Sequence, residues 1–180
     1  MPPKKKREIN FYVWLRQGLR SLSRKWPPIF TALANAKRPA PAGSPPRQKV
    51  AYECAICKGL FPAKQVCVDH IKPAGTLLTE DDIQEFVTTL FCGVDNLQVL
   101  CKNSKDGEHI GCHEVKTYYE RYGLQSMEEA RLHLEVTKML KNKKQCLAFL
   151  SEHGYTGKDV SNDEKRRTLL LKIKKESMRV

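Results

Sequence analysis

The chain has 180 residues, a formal net charge of +12 and seven cysteines. A hydrophobic share of 41% suffices for one ordinary domain with extensions, or for two small domains, and argues against wholesale disorder. No apolar run approaches the roughly 20 residues of a membrane helix, and the basic run Lys4–Arg7 lacks the apolar core of a signal peptide. We therefore predict a cytoplasmic protein without a membrane span, whose cysteines bind metal rather than form disulfides.

The first predicted element is an amphipathic helix in a basic N-terminal arm, residues 1–37. Apolar residues recur at helical spacing from Ile9 to Leu22. A basic stripe with a spacing of four residues runs along it, formed by Arg16, Arg20 and Arg24. The segment Trp26–Pro28 ends this helix, and a short second helix is expected from Ile29 to Ala36.

The arm offers a candidate nucleic-acid surface. The arginine stripe and the following Lys25 could lie along DNA phosphates, but such a face can also be merely solvated or lie on a membrane surface. Residues 38–49 are rich in Pro, Ala, Gly and Ser. We predict that they form a semi-extended linker that places the arm away from the rest of the chain.

Two cysteine pairs frame the centre of the sequence. Cys54 and Cys57 are separated by two residues, a spacing that lets both thiolates bind one tetrahedral ion from a tight turn. Cys101 and Cys112 would complete a four-thiolate zinc site. This spacing predicts a structural zinc ion and leaves three other thiols for the core, namely Cys67, Cys92 and Cys146.

The second cysteine pair departs from the usual spacing because ten residues separate its members. Asp106, Gly107 and Gly111 predict that this insert is a loop, and loops lengthen at little entropic cost. His109 lies within the loop and could replace one of the thiols as a ligand.

Between and after the pairs, the pattern predicts two strands and two helices. Residues 66–68 are expected to form a short strand that ends at His70, and Asn96–Cys101 is expected to be a second strand or a strand-to-loop segment. Thr79–Leu90 is expected to be an inserted helix with Thr79 as its N-cap. A further helix is expected from Cys112 to Tyr122.

The C-terminal extension, residues 125–180, is predicted to be helical and basic. Ser126 and Glu129 form a capping box that opens a helix from Met127 to Leu140. Two more helices are expected from Cys146 to His153 and from Asp163 to Glu176. These helices could pack on the centre or clamp DNA.

The order of motifs from residue 54 to residue 117 resembles the HNH, or His-Me finger, nucleases. The motifs are C-A-I-C, V-D-H-I-K-P, D-N-L-Q-V-L-C and C-H-E-V-K-T, and together they span roughly the middle third of the chain. The acidic insert that ends in Phe91-Cys92 is similar to inserts of HNH proteins encoded by tailed bacteriophages. The resemblance implies an α+β fold in which residues 50–124 form a zinc-stabilised ββα-metal finger core with flanking helices.

The resemblance also implies roles for five residues. Asp69 and His113 would hold a catalytic Mg²⁺ or Mn²⁺ ion, His70 would be the general base, Asn96 would orient its ring, and Lys116 would contact a phosphate. Hydrolysis of a phosphodiester needs these functions, since water must be activated and the charge on the phosphate neutralised. Dividing this work between the adjacent Asp69 and His70 requires a twisted or bulged strand.

The distribution of charge fits such an enzyme. Residues 1–49 carry +11, residues 50–124 carry −4 and residues 125–180 carry +5. Carboxylates gather around a cation, while basic segments neutralise phosphates. A basic arm can equally be a solvated tail, and Lys4–Arg7 can be interpreted as a nuclear-import run.

Two hypotheses of different classes follow. The first is a divalent-metal-dependent DNA endonuclease or nickase acting on double-stranded DNA, with RNA as a weaker candidate substrate. The second is a non-catalytic zinc-stabilised DNA-binding module. A phage enzyme would act in the host cytoplasm, and replication or packaging proteins of the phage are conceivable partners.

Overall fold

The computed structural model describes residues 10–104 and 107–177. The fold is α+β, as predicted, with 55% helix and 11% strand. The helices of the described residues are α1 (Phe11–Ser23), α2 (Pro27–Asn35), α3 (Ile83–Leu90), α4 (Cys112–Tyr122), α5 (Met127–Lys141), α6 (Lys143–Glu152) and α7 (Asp163–Ser177). The strands are β1 (Lys37–Pro39), β2 (Val50–Glu53), β3 (Leu60–Phe61), β4 (Val66–His70) and β5 (Leu97–Cys101).

The chain divides into two compact units, residues 1–101 and 102–180. The four predicted segments, with boundaries after residues 37, 49 and 124, stay a prediction. The run Lys4–Arg7, the first predicted helical residue Ile9 and the predicted turn residue Asp106 lie outside the described residues. Within the described ranges, no helix has the length and apolar character needed to cross a membrane.

The first unit contains two small antiparallel sheets. One has the strand order β1-β2-β3, with Arg38 opposite Ala51 and Tyr52 opposite Phe61. The other is the two-stranded β4-β5 ladder. All residues of β5 except Gln98 are buried, and Leu97, Val99 and Leu100 contribute to the core as the sequence predicts.

The prediction that the linker holds the arm away from the centre is wrong. Residues 37–39 pair with β2 instead, and Ala40 N donates to Lys49 O at 3.2 Å, so much of the linker is the connection of a hairpin. The arm also contributes to a core of the first unit. Half-buried residues of α1 pack against the buried cluster formed by Ala74, Leu77, Phe86 and Leu90. The arm is therefore part of the first unit.

Trp26 fixes the junction between α1 and α2. Its indole Nε1 donates to Cys92 O at 2.8 Å, and its ring meets Phe91 edge-on with centroids 5.6 Å apart. The half-buried indole thus has a hydrogen-bond acceptor for its N–H. The contact attaches the start of α2 to the segment that follows α3.

The predicted N-cap at Thr79 is also wrong, since α3 begins at Ile83. Asp82 Oδ2 accepts hydrogen bonds from Leu78 N and Thr79 N, both at 2.9 Å. These bonds lower the pKa of the Asp82 carboxyl below its usual value. The carboxylate thus stabilises a turn before the helix, and the acidic run Glu80–Asp82 lies in that turn rather than in the first helical turn.

Three helices, α5, α6 and α7, form the core of the second unit. The buried residues of this core are Val136, Cys146, Leu150, Leu170 and Ile173. Ser126 Oγ accepts from Glu129 N at 3.1 Å, as a capping box requires, but Glu129 Oε2 accepts from Gln125 N rather than from Ser126 N. The helix α6 begins three residues earlier than predicted. Asn142 is its N-cap, and Asn142 Oδ1 accepts a hydrogen bond from Gln145 N.

Candidate metal site and active site

The turn between β2 and β3 presents the first cysteine pair. Cys54 N donates to Gly59 O and Lys58 N donates to Cys54 O, both at 2.9 Å, which closes the chain into a knuckle. Lys58 adopts a left-handed conformation with φ 59°, which is uncommon for a residue with a side chain. The tight turn lets both thiols of the C-x-x-C segment point to one side.

The sulfur atoms of Cys54, Cys57, Cys101 and Cys112 all lie within 4.8 Å of one another. Cys57 Sγ and Cys101 Sγ are 3.8 Å apart. Four thiolates around a tetrahedral zinc ion, each about 2.3 Å from the metal, have sulfurs about 3.8 Å apart, whereas a disulfide requires about 2.05 Å. The described cysteines form no disulfide. The cluster can therefore hold a structural metal ion such as zinc, with three of its ligands buried.

Backbone donors favour the thiolate form of Cys54. Burial by itself would raise the pKa of this thiol, but the backbone N–H groups of Cys57, Cys101 and Ile56 outweigh that effect and lower its pKa to about 7. The Cys101 N–H lies 3.4 Å from Cys54 Sγ. A metal ligand must be deprotonated, so the backbone prepares this sulfur to bind a cation.

The loop between Cys101 and Cys112 is held by its own hydrogen bonds. Gly111 N donates to Asn103 Oδ1 at 2.7 Å, just before α4 begins. His109 N donates to Ser104 Oγ at 2.8 Å, and Ser104 N donates to His109 O at 3.0 Å. Among the described residues, the metal-binding group consists of the four cysteines without His109.

Of the three other cysteines, only Cys146 fully meets the prediction of a core thiol. It is buried among α5, α6 and α7, and burial raises its pKa. Cys67 and Cys92 are only half-buried.

The ladder of β4 and β5 carries Asp69 and His70 at the end opposite the candidate metal ligand Cys101. Asp69 lies opposite Gln98, His70 opposite Leu97 and Val66 opposite Cys101. The ladder has five consecutive one-to-one pairs, so the bulge considered from the sequence is not present. Leu97 and Cys101 are four positions apart along the strand, which corresponds to about 13 Å.

The imidazole of His70 contacts the end of α3. Its Nε2 lies 3.1 Å from Leu90 O. Because a carbonyl oxygen can only accept a hydrogen bond, Nε2 must carry a proton in this contact. In a neutral ring, Nδ1 is then the nitrogen with the lone pair. Sequence reasoning did not find this partner, because a backbone carbonyl 20 residues away carries no side-chain signal.

Asn96 forms hydrogen bonds with the two residues that directly follow His70. Its Oδ1 accepts from Lys72 N at 2.8 Å and its Nδ2 donates to Lys72 O at 3.2 Å. Its backbone O also accepts from Ile71 N at 2.9 Å. The predicted contact of Asn96 with the His70 ring stays a prediction, whereas these bonds give Asn96 a role in fixing the exit of β4.

The second unit carries the two remaining predicted residues on α4. His113 and Lys116 lie three residues apart on this helix, as the sequence predicts, and His113 is half-buried. Lys116 is 9% exposed and forms an ion pair with Glu120. Its ammonium group is thus engaged within the helix, and its role towards a phosphate stays a prediction.

The predicted DNA-binding residues of the arm fall into two groups. Arg20 donates to Gly75 O at 3.3 Å, and its guanidinium lies 5.7 Å from the centroid of the Phe86 ring, so it packs on the core. Arg16 is half-buried. Arg24 and Lys25 are exposed at the end of α1. Arg20 is exposed as well, so it differs from Arg24 and Lys25 by the contacts of its guanidinium with Gly75 and Phe86.

Comparison of the chain with known protein families, with curated proteins and with solved structures gives no match. The four-cysteine cluster is thus the feature of the site that geometry supports directly.

Proposed function

We propose that the protein is an HNH-type DNA endonuclease or nickase that depends on a divalent metal ion and carries a structural zinc ion. The order of motifs from Cys54 to Thr117 supports the proposal, because a cysteine scaffold alone would need no Asp-His, Asn and His at these positions. The four sulfurs also lie within 4.8 Å of one another, and Cys57 Sγ and Cys101 Sγ are 3.8 Å apart, which supports a shared tetrahedral ion.

One observation carries the proposal, namely the contact between His70 Nε2 and Leu90 O. A general base for hydrolysis must present a lone pair to water in a fixed direction. The carbonyl holds the imidazole through Nε2, so Nδ1 would accept the proton of the attacking water. Asn96 would act on the same group indirectly, since it fixes the segment that follows His70.

Asp69 and His113 would bind the catalytic cation, for which Mg²⁺ or Mn²⁺ suits the carboxylate ligand and an imidazole is tolerated. Such a cation neutralises charge on the phosphate and on the leaving oxygen. Lys116 would add positive charge at a phosphate after its ion pair with Glu120 opens.

The zinc site would have an architectural role in this enzyme. Cys101 lies about 13 Å along the strand from the residue that pairs with His70, too far for a thiolate-bound ion to activate the same water. A site of four thiolates also leaves no open position for substrate. Zinc would therefore stabilise the finger while a second cation takes part in the hydrolysis.

Double-stranded DNA is the proposed substrate. The chain carries a net charge of +12, and Arg24 and Lys25 are exposed on the arm. Cations on such a surface neutralise phosphates and release counterions without reading base sequence. A phage origin, with replication or packaging proteins as partners, belongs to the same proposal and rests on the resemblance alone.

The proposal is tested with zinc-loaded protein and supercoiled plasmid, with Mg²⁺, with Mn²⁺ and without added divalent ions. Conversion to relaxed or linear plasmid only when a divalent ion is added supports the enzyme. Retention of the plasmid in a gel without cleavage under any of these conditions would contradict the enzyme and favour the non-catalytic DNA-binding module. An RNA duplex of matched length shows whether cleavage is restricted to DNA.

A further inference from the structure

Arg131 of α5 contacts one of the four cysteine ligands. Its Nη2 lies 3.7 Å from Cys112 Sγ, and its Nη1 donates to Ile110 O at 3.0 Å. The planar guanidinium thus contacts both the sulfur of Cys112 and the backbone carbonyl of Ile110, two residues earlier. A rigid fork of this kind fixes two acceptors at once, which a lysine cannot do.

The negative charge of a zinc-loaded four-thiolate site makes a neighbouring cation stabilising. Four thiolates around one Zn²⁺ ion carry a net charge of −2, and Cys112 is fully buried. Burial of charge is costly unless the charge is paired or hydrogen-bonded. A guanidinium at the sulfur offsets part of this charge and supplies a hydrogen-bond donor to it.

We propose that Arg131 is a positioning residue of the zinc site, which holds the sulfur of Cys112 in place as a ligand and slows the loss of the metal. The proposal rests on the metal site and not on nuclease activity, so it can fail or succeed whether or not the protein cleaves DNA. Groups that hydrogen-bond to metal ligands typically change metal affinity by about 10–100-fold when they are removed.

The test compares Arg131→Met, Arg131→Lys and two control variants of the full chain. Arg167→Met removes another half-buried arginine of the same unit, which donates to Thr137 Oγ1 at 3.1 Å. Asn103→Ala loosens the loop before Cys112 by removing the acceptor of Gly111 N, without touching a sulfur. Circular dichroism of the zinc-loaded proteins checks that each variant is folded.

The first measurement is the rate at which a chromogenic chelator removes zinc. We expect Arg131→Met to release zinc roughly tenfold faster than wild type or more, Arg131→Lys to lie between them, and both controls to stay close to wild type. Iodoacetamide labelling followed by peptide mapping should show that Cys112 gains reactivity before Cys54.

The second measurement separates the sulfur contact from general loosening. In protein loaded with Co²⁺ alone, loss of a hydrogen bond to a thiolate should move the sulfur-to-cobalt charge-transfer band to longer wavelength in Arg131→Met but not in Asn103→Ala. A wild-type zinc release rate in folded Arg131→Met, equal acceleration in Asn103→Ala, or an unmoved band would overturn the proposal. If Arg131→Met does not fold, Arg131→Lys decides, and a wild-type release rate in that variant would equally overturn it.

Discussion

The carbonyl oxygen of Leu90 lies 3.1 Å from Nε2 of His70. Leu90 is the last residue of α3, the helix inserted between the two halves of the motif, and it is buried. Carbonyl groups at the end of a helix lack intrahelical donors and seek other partners. The insert is therefore more than a spacer, because its end sets the orientation of the candidate base.

This contact predicts the tautomer of His70. We expect the neutral ring to carry its proton on Nε2, because the carbonyl accepts from that nitrogen. Long-range ¹H–¹⁵N correlation spectra of zinc-loaded protein, assigned with His70→Gln, report the tautomer directly. A ring protonated on Nδ1 would contradict the orientation of the base that we propose.

The zinc site should contribute folding free energy. Cys54→Ser or Cys112→Ser should lose the metal and unfold the finger, because metal binding in zinc-finger peptides supplies on the order of 10 kcal/mol. Metal content by mass spectrometry and the free energy of unfolding in urea check this. Cys92→Ser is the control, since Cys92 is half-buried and outside the cluster. Stoichiometric zinc in folded Cys112→Ser would refute the assignment of that ligand.

Asn96 should matter for the stability of the strand end as well as for activity. Asn96→Ala removes two hydrogen bonds to Lys72, and each typically contributes about 1 kcal/mol. Asn96→Asp keeps the acceptor for Lys72 N but loses the donor to Lys72 O. We expect the free energy of unfolding to fall in both variants and further in the alanine variant. Unchanged stability in Asn96→Ala would mean that these bonds contribute nothing measurable.

The two groups of basic residues in the arm should behave differently. The double variant of Arg24 and Lys25 to Ala should flatten the plot of log affinity for duplex DNA against log salt, by about 0.9 for each phosphate that the variant no longer neutralises. Arg20→Ala should instead lower stability, since Arg20 packs on Gly75 O and Phe86. Gln17→Ala is the control, since Gln17 is uncharged and exposed on α1. If the double variant keeps the wild-type slope, these side chains do not bind phosphates.

The elements that could be predicted are those with local signals. The apolar period located α1 and α7 and the capping box located α5, each to within a few residues, and the C-x-x-C spacing located the knuckle. These features depend on neighbours along the chain, so the sequence carries them directly.

The errors arose where distant or competing contacts decide the structure. Residues 37–39 have no strand pattern, and only pairing with Val50–Glu53 makes them a strand. Thr79 is a residue type that is typical of N-caps, but α3 begins only at Ile83. The preceding residues form a turn in which the Asp82 carboxylate accepts hydrogen bonds from Leu78 N and Thr79 N. The partner of His70 is a backbone carbonyl, and nothing in a residue's identity indicates where its carbonyl will point.

The most direct test of the account is single-turnover cleavage of a duplex by His70→Ala. We expect wild-type zinc content and DNA affinity but a rate of cleavage lower by roughly 10²–10⁴ or more, since general bases contribute on that scale. His153→Ala is the matched control, because His153 Nδ1 likewise contacts a backbone carbonyl, that of Phe149, at 2.8 Å, but lies at the end of α6. The control should cleave like wild type. Cleavage by His70→Ala at the rate of His153→Ala would contradict the assignment of His70 as the base.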